Sequence, residues 1–399
     1  MSYARTSLKG VMFYDSTKAY KGLTLFTPTE GKGAWLIDMM GRLVNHWEIP
    51  YQPGCDAKLL PNGNLLYAGR VADGPLADLD GAGGILLEVD WNGKVLWEYR
   101  DSYLHHTFDR MENGNTLVLK WVKVPNRVAA RVRGGDPGTE KDGVMWGDAI
   151  QEVTPDGKVV WEWIAHEHLD PEETSRCLIC PRDTWTHANA VSELPDENIL
   201  VSFAKINTVA IIDKKTGNIK WQWGPGYIAH QCYSTMLDNG NILVFDANMH
   251  VNGFALSASR VIEVTLETEQ VWDYGGGGEG GWDAWWTRRR PQTFYSTLGN
   301  CQRLPNGNTL ICEGITGRIF EVSPSLELVW EFGNNLPSYG PYPTQTRSYM
   351  VYSAYRYGMD YSGLKEPVAQ AQEKQPAPGI PGHPEEAKKV EKTTEEIVK

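Results

Sequence analysis

The sequence predicts an all-β chain folded as a six-bladed β-propeller, and three observations carry that prediction. A hydrophobic-Trp-polar-aromatic signature recurs six times, at Trp47, Trp97, Trp161, Trp221, Trp272 and Trp330. A turn signal recurs five times: LeuProAsnGlyAsn at Leu60, MetGluAsnGlyAsn at Met111, LeuProAspGluAsn at Leu194, LeuAspAsnGlyAsn at Leu237 and LeuProAsnGlyAsn at Leu304. The stretch from Thr184 to Trp223 spells apolar runs split by turns and ends in a Trp-x-Trp edge, which is four short strands of one antiparallel sheet. The same pattern returns up and down the chain, as repeat architectures require.

The N-terminal blade is less regular. ValMetPheTyrAsp, LeuThrLeuPheThr, AlaTrpLeuIleAsp and LeuValAsnHisTrp are expected as its strands, and Tyr349 to Tyr355 either adds a strand there or packs beneath it. In the other five blades, Asn-Gly readily takes the positive φ of a tight hairpin, so the turn signal joins the first two strands. A strand such as LeuLeuTyrAla or IleLeuValPhe follows, then a third of the type IleLeuLeuGluVal or IlePheGluVal. Their alternation lays one face of each blade on its neighbour. Two insertions break the rhythm, Val122 to Asp148 and Gly275 to Tyr295, and long loops in compact folds are usually functional lids or solvated excursions. From Lys365 onward Pro, Glu, Lys and Gln dominate, too polar to bury a core. The expected organisation is one propeller domain over residues 1–363 and a disordered tail over 364–399.

With 41% hydrophobic and 22% charged residues, the chain has the composition of a globular protein. Its net charge of -12 argues against a nucleic-acid backbone or an anionic membrane as the main partner. No apolar run approaches the ~20 residues that span a bilayer, and Met1 to Asp15 lacks a basic start, an apolar stretch and a cleavage site, so a cytoplasmic location is expected. Six cysteines in 399 residues do not make a disulfide framework and read as free thiols unless a metal pairs them.

In a propeller the first strand of each blade lines the central channel, and polar residues at its start converge at the channel mouth. They are Asp56, then His105 and His106, then His187 and Asn189, then His230 and Cys232, and last Asn300. Histidines at equivalent places in three blades are expected to face one another, which marks a site more strongly than any single histidine.

HisHisThrPheAspArgMetGluAsnGlyAsn from His105, TrpThrHisAlaAsnAlaVal from Trp185, AspAsnGlyAsnIleLeuValPheAsp from Asp238 and GlyArgIlePheGluVal from Gly317 carry a further signal. Through these motifs the chain resembles the arylsulfotransferase family, six-bladed propellers that move a sulfuryl group from a phenolic sulfate to another phenol through a sulfated histidine. The resemblance implies site roles for His106 and His187. It also implies that the sulfated histidine, which in the family follows Gln, falls on Cys232 after Gln231, and that the family's arginine falls on Ala204, with Lys205 beside it. Sulfuryl transfer needs a nucleophile and cations to hold the anionic oxygens, so His230, Cys232 and Lys205 are candidates for those roles. Retained histidines could instead act as acid and base in a lyase, hydratase or hydrolase reaction on a small aromatic compound. A non-catalytic propeller that binds a protein partner is a third reading.

Two further patterns stand apart from the channel. His166-Glu-His168 followed by Cys177-x-x-Cys180 could supply a structural tetrahedral zinc, although a HisLeuAspProGlu loop shared with the family also accounts for His168. AspLysLysThrGlyAsnIleLysTrp is a single copy of a quinoprotein docking motif, and six blades is the wrong number for that class, so no cofactor is expected. The expected partner is a small aromatic molecule; oligomeric state is not legible.

Overall fold

The computed structural model describes residues 9–29, 31–174, 176–250, 258–276, 293–335 and 349–365, and the backbone of 338–339 and 347–348. Within them six antiparallel sheets make the six blades of a β-propeller. The second sheet runs outward from Gln52–Leu59 through Leu65–Arg70 and Gly84–Val89 to Val95–Arg100. The third begins at Leu104–Arg110, the fourth at Ala188–Glu193, the fifth at Tyr233–Met236 and the sixth at Cys301–Arg303. All five sequence turns join first and second strands, as expected. In Leu60 to Asn64, Gly63 holds φ +86° and its N–H donates to the carbonyl of Leu60 at 2.9 Å.

The six signature tryptophans lie on the fourth strand of each blade, counted from the channel, and tie the blades together. Each indole N–H donates to a backbone carbonyl in the third-to-fourth-strand turn of the next blade. The bonds run Trp47 to Asp90 at 2.9 Å, Trp97 to Pro155 at 2.8 Å and Trp161 to Lys214 at 2.9 Å. They continue Trp221 to Leu266 at 2.8 Å, Trp272 to Pro324 at 3.2 Å and Trp330 to Met39 at 2.9 Å. Repetition of Trp in the sequence is therefore repetition of an inter-blade bond, with the ring body filling the gap between sheets.

A second tie recurs nearer the centre. The last Asn of the turn donates to the Glu of its own third strand, Asn64 to Glu88 at 2.7 Å, Asn241 to Glu263 at 2.7 Å and Asn308 to Glu321 at 2.6 Å. The other carboxylate oxygen takes an arginine from the next blade: Arg110 to Glu88 at 3.0 Å, Arg303 to Glu263 at 2.6 Å and Arg356 to Glu321 at 3.2 Å. Between the sheets the core combines aliphatic with aromatic side chains, Phe203, Phe245 and Phe320 among the latter. Leu25, Leu65, Leu117, Val201, Val244 and Ile311 are fully buried, each worth ~1.5–3 kcal/mol relative to exposure.

Ring closure decides between the two readings of the C-terminal strand and corrects one expectation. Val351–Gly358 is the innermost strand of the first blade, outside which follow Gly22–Pro28, Ala34–Ile37 and Leu43–Trp47. ValMetPheTyrAsp, expected as a strand of that blade, instead leaves Gly10–Tyr14 as a fifth, outer strand of the sixth sheet, paired Tyr14 with Trp330 and Gly10 with Gly333. Burial explains the exchange. Gly10–Tyr14 is only partly covered and suits an edge, whereas Val351–Gly358 is mostly buried and suits the channel wall.

The insertion between Val122 and Asp148 folds against the loop that precedes the fourth blade. The Arg182 guanidinium donates to the carbonyls of Ala129 and Val132 at 3.0 Å each and pairs with Glu140 at 2.6 Å. Most of the second insertion, residues 277–292, and the expected tail from residue 366 lie outside the described residues. Among the described residues no helix is long and apolar enough to cross a membrane.

Candidate active site

Inner-strand bulges build the channel cavity. In the third blade, Leu104 pairs with Lys120 and Phe108 with Val118, so His105, His106 and Thr107 stand opposite Leu119 alone. In the second, Pro53 pairs with Gly69 and Ala57 with Tyr67, which leaves Gly54, Cys55 and Asp56 opposite Ala68. Asn189 is unpaired in the fourth blade, and Tyr352 and Ser353 oppose Thr27 in the first. A bulge breaks strand alternation and re-aims side chains. The backbone records it at Cys55, which holds φ +89°, and His187, just before the first strand of the fourth blade, holds +51°, values that residues with a Cβ seldom adopt.

These residues enclose a cavity of about 210 Å³. His106, His187, Asn189, Cys232, Asp56 and Asn300, all expected from the sequence, line it. The rings of His106 and His187 stand 5.7 Å apart between centroids. Nδ1 of His106 lies 3.3 Å from the Gly81 carbonyl oxygen; with that nitrogen donating, the lone pair falls on Nε2. Burial lowers the basicity of both rings. For His187 the charge of Lys205 adds to the effect, whereas for His106 the carboxylate of Asp80 opposes it. Asp56 is held by Tyr355 at 2.9 Å and by Thr107 at 3.2 Å. Nδ1 of His187 and Oδ1 of Asn189 are buried without a hydrogen-bond partner among the described residues.

Three expected site residues are not on the cavity wall. His105 sits behind it, its ring 3.6 Å from that of Trp121 and its Nε2 3.2 Å from Asp148 Oδ1, an ion-pair distance without hydrogen-bond direction. Burial pushes Asp148 up to about 7 and holds His105 well below the usual imidazole range. Lys205 turns to Asp183 at 3.2 Å. His230 faces the other way, towards Cys180, with Nε2 3.7 Å from its Sγ. Cys232, at the position the family resemblance gives to the sulfated histidine, does reach the cavity, but its thiol donates to the Thr297 carbonyl at 3.3 Å. Asn300 has its amide closed on the backbone of Ala354, donating at 3.1 Å and accepting at 2.9 Å, so it joins blades rather than presenting free groups.

The zinc expectation is corrected in its histidines. His168 lies flat on Trp163, 5.0 Å between centroids at 10°. His166 does not join the cysteines either. Cys177 and Cys180 are met by His230 and His250, their four ligand atoms within 4.8 Å of one another.

Sequence reasoning missed the cavity residues outside the repeat. Asp80 and Gly81 come from the loop between Arg70 and Gly84, and a Cβ on Gly81 would stand 2.5 Å from His106 Nδ1 and 3.5 Å from His187 Cε1. The glycines of AspGlyAlaGlyGly were the available signal. Tyr352 and Tyr355 come from the strand whose position the sequence left open, and Tyr233 follows Cys232.

With this geometry in view, the sequence profile described as arylsulfotransferase (ASST) matches residues 14–237, more than half of the chain, and the protein belongs to that family. No curated protein matches it. Among solved structures it is similar to a protein of unknown function from Bacteroides caccae, at 14% identity and a TM-score of 0.51, over 84% of this chain and 98% of that one. A streptogramin B lyase matches at 12% identity and 0.45, over 82% and 85% of the two chains. A virginiamycin B lyase from Staphylococcus aureus matches at 10% and 0.41, over 83% and 85%. At these identities the likeness is at most one of fold.

Proposed function

We propose that the channel cavity transfers a sulfuryl group from a small phenolic sulfate to a second phenol, with His106 as nucleophile and His187 as base. The observation that carries the reading is the pair of buried, neutral imidazoles 5.7 Å apart on one wall of the cavity. His106 Nε2 attacks sulfur, the bond from sulfur to the aryl oxygen breaks and a phenolate leaves. The acceptor phenol then gives its proton to His187, its oxygen attacks sulfur, and the bond from sulfur to His106 breaks. The cavity volume, about 210 Å³, falls below the roughly 300–1,000 Å³ of drug-sized pockets and suits a single aromatic ring. Family membership supports the sulfotransferase class.

One feature favours a second reading. Asp56 and Asp80 line the cavity and, among the described residues, no Lys or Arg does, which suits a neutral substrate better than a sulfate ester. Acid–base catalysis on an uncharged aromatic compound by the same two histidines fits that charge pattern.

The test is release of a coloured phenol from an aryl sulfate in the presence of a phenol acceptor. His106→Ala and His187→Ala should each lower it by at least ~10²-fold. Absence of turnover with several donors, together with ligand-induced stabilisation by the free phenols, supports the acid–base reading instead.

A further inference from the structure

We propose that Cys177, Cys180, His230 and His250 bind one zinc ion, a structural site that fastens the loop preceding the fourth blade to the fifth blade. The four residues come from three separate stretches, and the fold gathers their ligand atoms within 4.8 Å of one another. Three sulfur–nitrogen edges come close to those of a tetrahedral site. Cys177 Sγ to His250 Nδ1 is 3.3 Å, Cys180 Sγ to His250 Nδ1 is 3.5 Å and Cys180 Sγ to His230 Nε2 is 3.7 Å. A zinc bonded to sulfur at about 2.3 Å and to nitrogen at about 2.0–2.1 Å in tetrahedral geometry sets sulfur–nitrogen edges of about 3.6 Å.

The surroundings are built for ligation. Both cysteine carbonyls are fixed, Cys177 by the Gly135 N–H at 3.0 Å and Cys180 by the Asp136 N–H at 2.8 Å, so the Cys-x-x-Cys knuckle is held by the insertion of the third blade. His230 and His250 both hold left-handed backbone, φ +53° and +61°, unusual for residues with a Cβ. The His230 N–H is anchored on Asn207 Oδ1 at 2.9 Å, and the Met249 N–H on the Ala229 carbonyl at 3.2 Å, which brings the two histidine segments side by side. Cys180 and His230 are buried, whereas Cys177, His230 and His250 also line a cleft of about 770 Å³ that gives an ion a path inward.

Two thiolates and two neutral imidazoles suit Zn²⁺, and binding releases the two thiol protons to solvent. All four positions are taken by protein, as in sites that hold structure rather than activate water. The ion would clasp the third-blade insertion, the loop before the fourth blade and the start of the fifth blade beside the channel mouth. It also accounts for His230 turning from the cavity.

The full chain, expressed with zinc and purified without a metal-affinity step, should carry one zinc per chain by elemental analysis. Cobalt replacing zinc should give thiolate-to-metal charge-transfer absorption and the intense visible bands of tetrahedral Co²⁺. Cys180→Ser and His250→Ala should lose the metal, whereas His166→Ala and His168→Ala should keep it. Because a ligand variant can simply fail to fold, the wild-type protein supplies an independent measure: titration with a mercurial should release one zinc ion as two thiolates are converted to mercaptides. Zinc at background with all six thiols reduced, a disulfide between Cys177 and Cys180 in the native protein, octahedral cobalt spectra, or metal retained by both ligand variants would each overturn the proposal.

Discussion

The indole N–H of Trp330 donates to the carbonyl oxygen of Met39 at 2.9 Å, across the seam where the sixth blade meets the first. It is the last of six equivalent bonds, and it is made by residues 291 positions apart. The Arg356 guanidinium stacks on the same indole at 4.5 Å. Trp330→Phe therefore removes a part-buried hydrogen bond and weakens a cation–π contact, costing about 2 kcal/mol, while Trp97→Phe at an exposed bond costs about 1 kcal/mol or less. Urea denaturation of the two variants checks the ranking. A larger loss at Trp97 would show that the seam is not the joint described here.

Arg356 and Glu321 form the inner tie at that seam, both side chains fully buried, 3.2 Å apart. Arg356→Met leaves a buried carboxylate without its partner and should cost about 3–5 kcal/mol, whereas Glu321→Met with Arg356→Met should recover most of that loss. A double variant as unstable as the single one would mean that the arginine acts through its bonds to Thr24 and Tyr20 instead.

Asp148 gives a pH dependence with a definite sign. Burial raises its carboxyl from 3.8 to about 7, against the opposing hydrogen bonds from Thr186 and the Ala188 N–H. The folded state thus holds a proton that the unfolded chain has lost, so this stability is fully present below pH 3.8 and disappears as pH rises through about 7. Asp148→Asn should flatten that part of the melting-temperature profile between pH 4 and 7, an effect of the order of a few kcal/mol. A profile unchanged by the substitution contradicts the assignment.

Much of the fold was legible because its ties recur. Trp47, Trp97, Trp161, Trp221, Trp272 and Trp330 repeat in sequence because each makes the same bond to the next blade, and Asn-Gly repeats because each hairpin needs the same backbone. The convergence of His106, His187 and Asn189 followed from the same regularity. What escaped was set by departures from it. A bulge lets adjacent His106 and Thr107 both line the cavity, which strict strand alternation forbids, and a non-repeating loop delivers Gly81. The partners of Cys177 and Cys180 lay 50 and more residues away, while His168, close in sequence, was taken by Trp163. No local spacing distinguishes those two sets.

Gly81 offers a probe of the cavity that spares the histidines. At φ +80° an alanine Cβ would meet His106 Nδ1 at 2.5 Å, so Gly81→Ala should displace the ring and break its bond to the Gly81 carbonyl. Turnover should fall ~10²-fold or more, since a misplaced catalytic group costs on that scale. Unchanged turnover would place the chemistry away from His106.

The acid limb of the pH profile follows from the neutral imidazoles. Burial lowers both His106 and His187 below the ordinary 6.5, so both stay deprotonated through neutrality. The rate with respect to free enzyme should hold as pH falls past 6.5 and decline only at lower pH. A decline centred above 6.5 would mean that neither ring is the essential base.

The most direct measurement is single-turnover reaction with a chromogenic aryl sulfate and no acceptor, followed by mass analysis of the protein. Nucleophilic transfer predicts a burst of one phenol per chain, one sulfuryl group on the peptide that contains His106, and its discharge when a phenol is added. No burst and no protein-bound sulfuryl group from any donor, or a burst that survives in the His106→Ala protein, would contradict it.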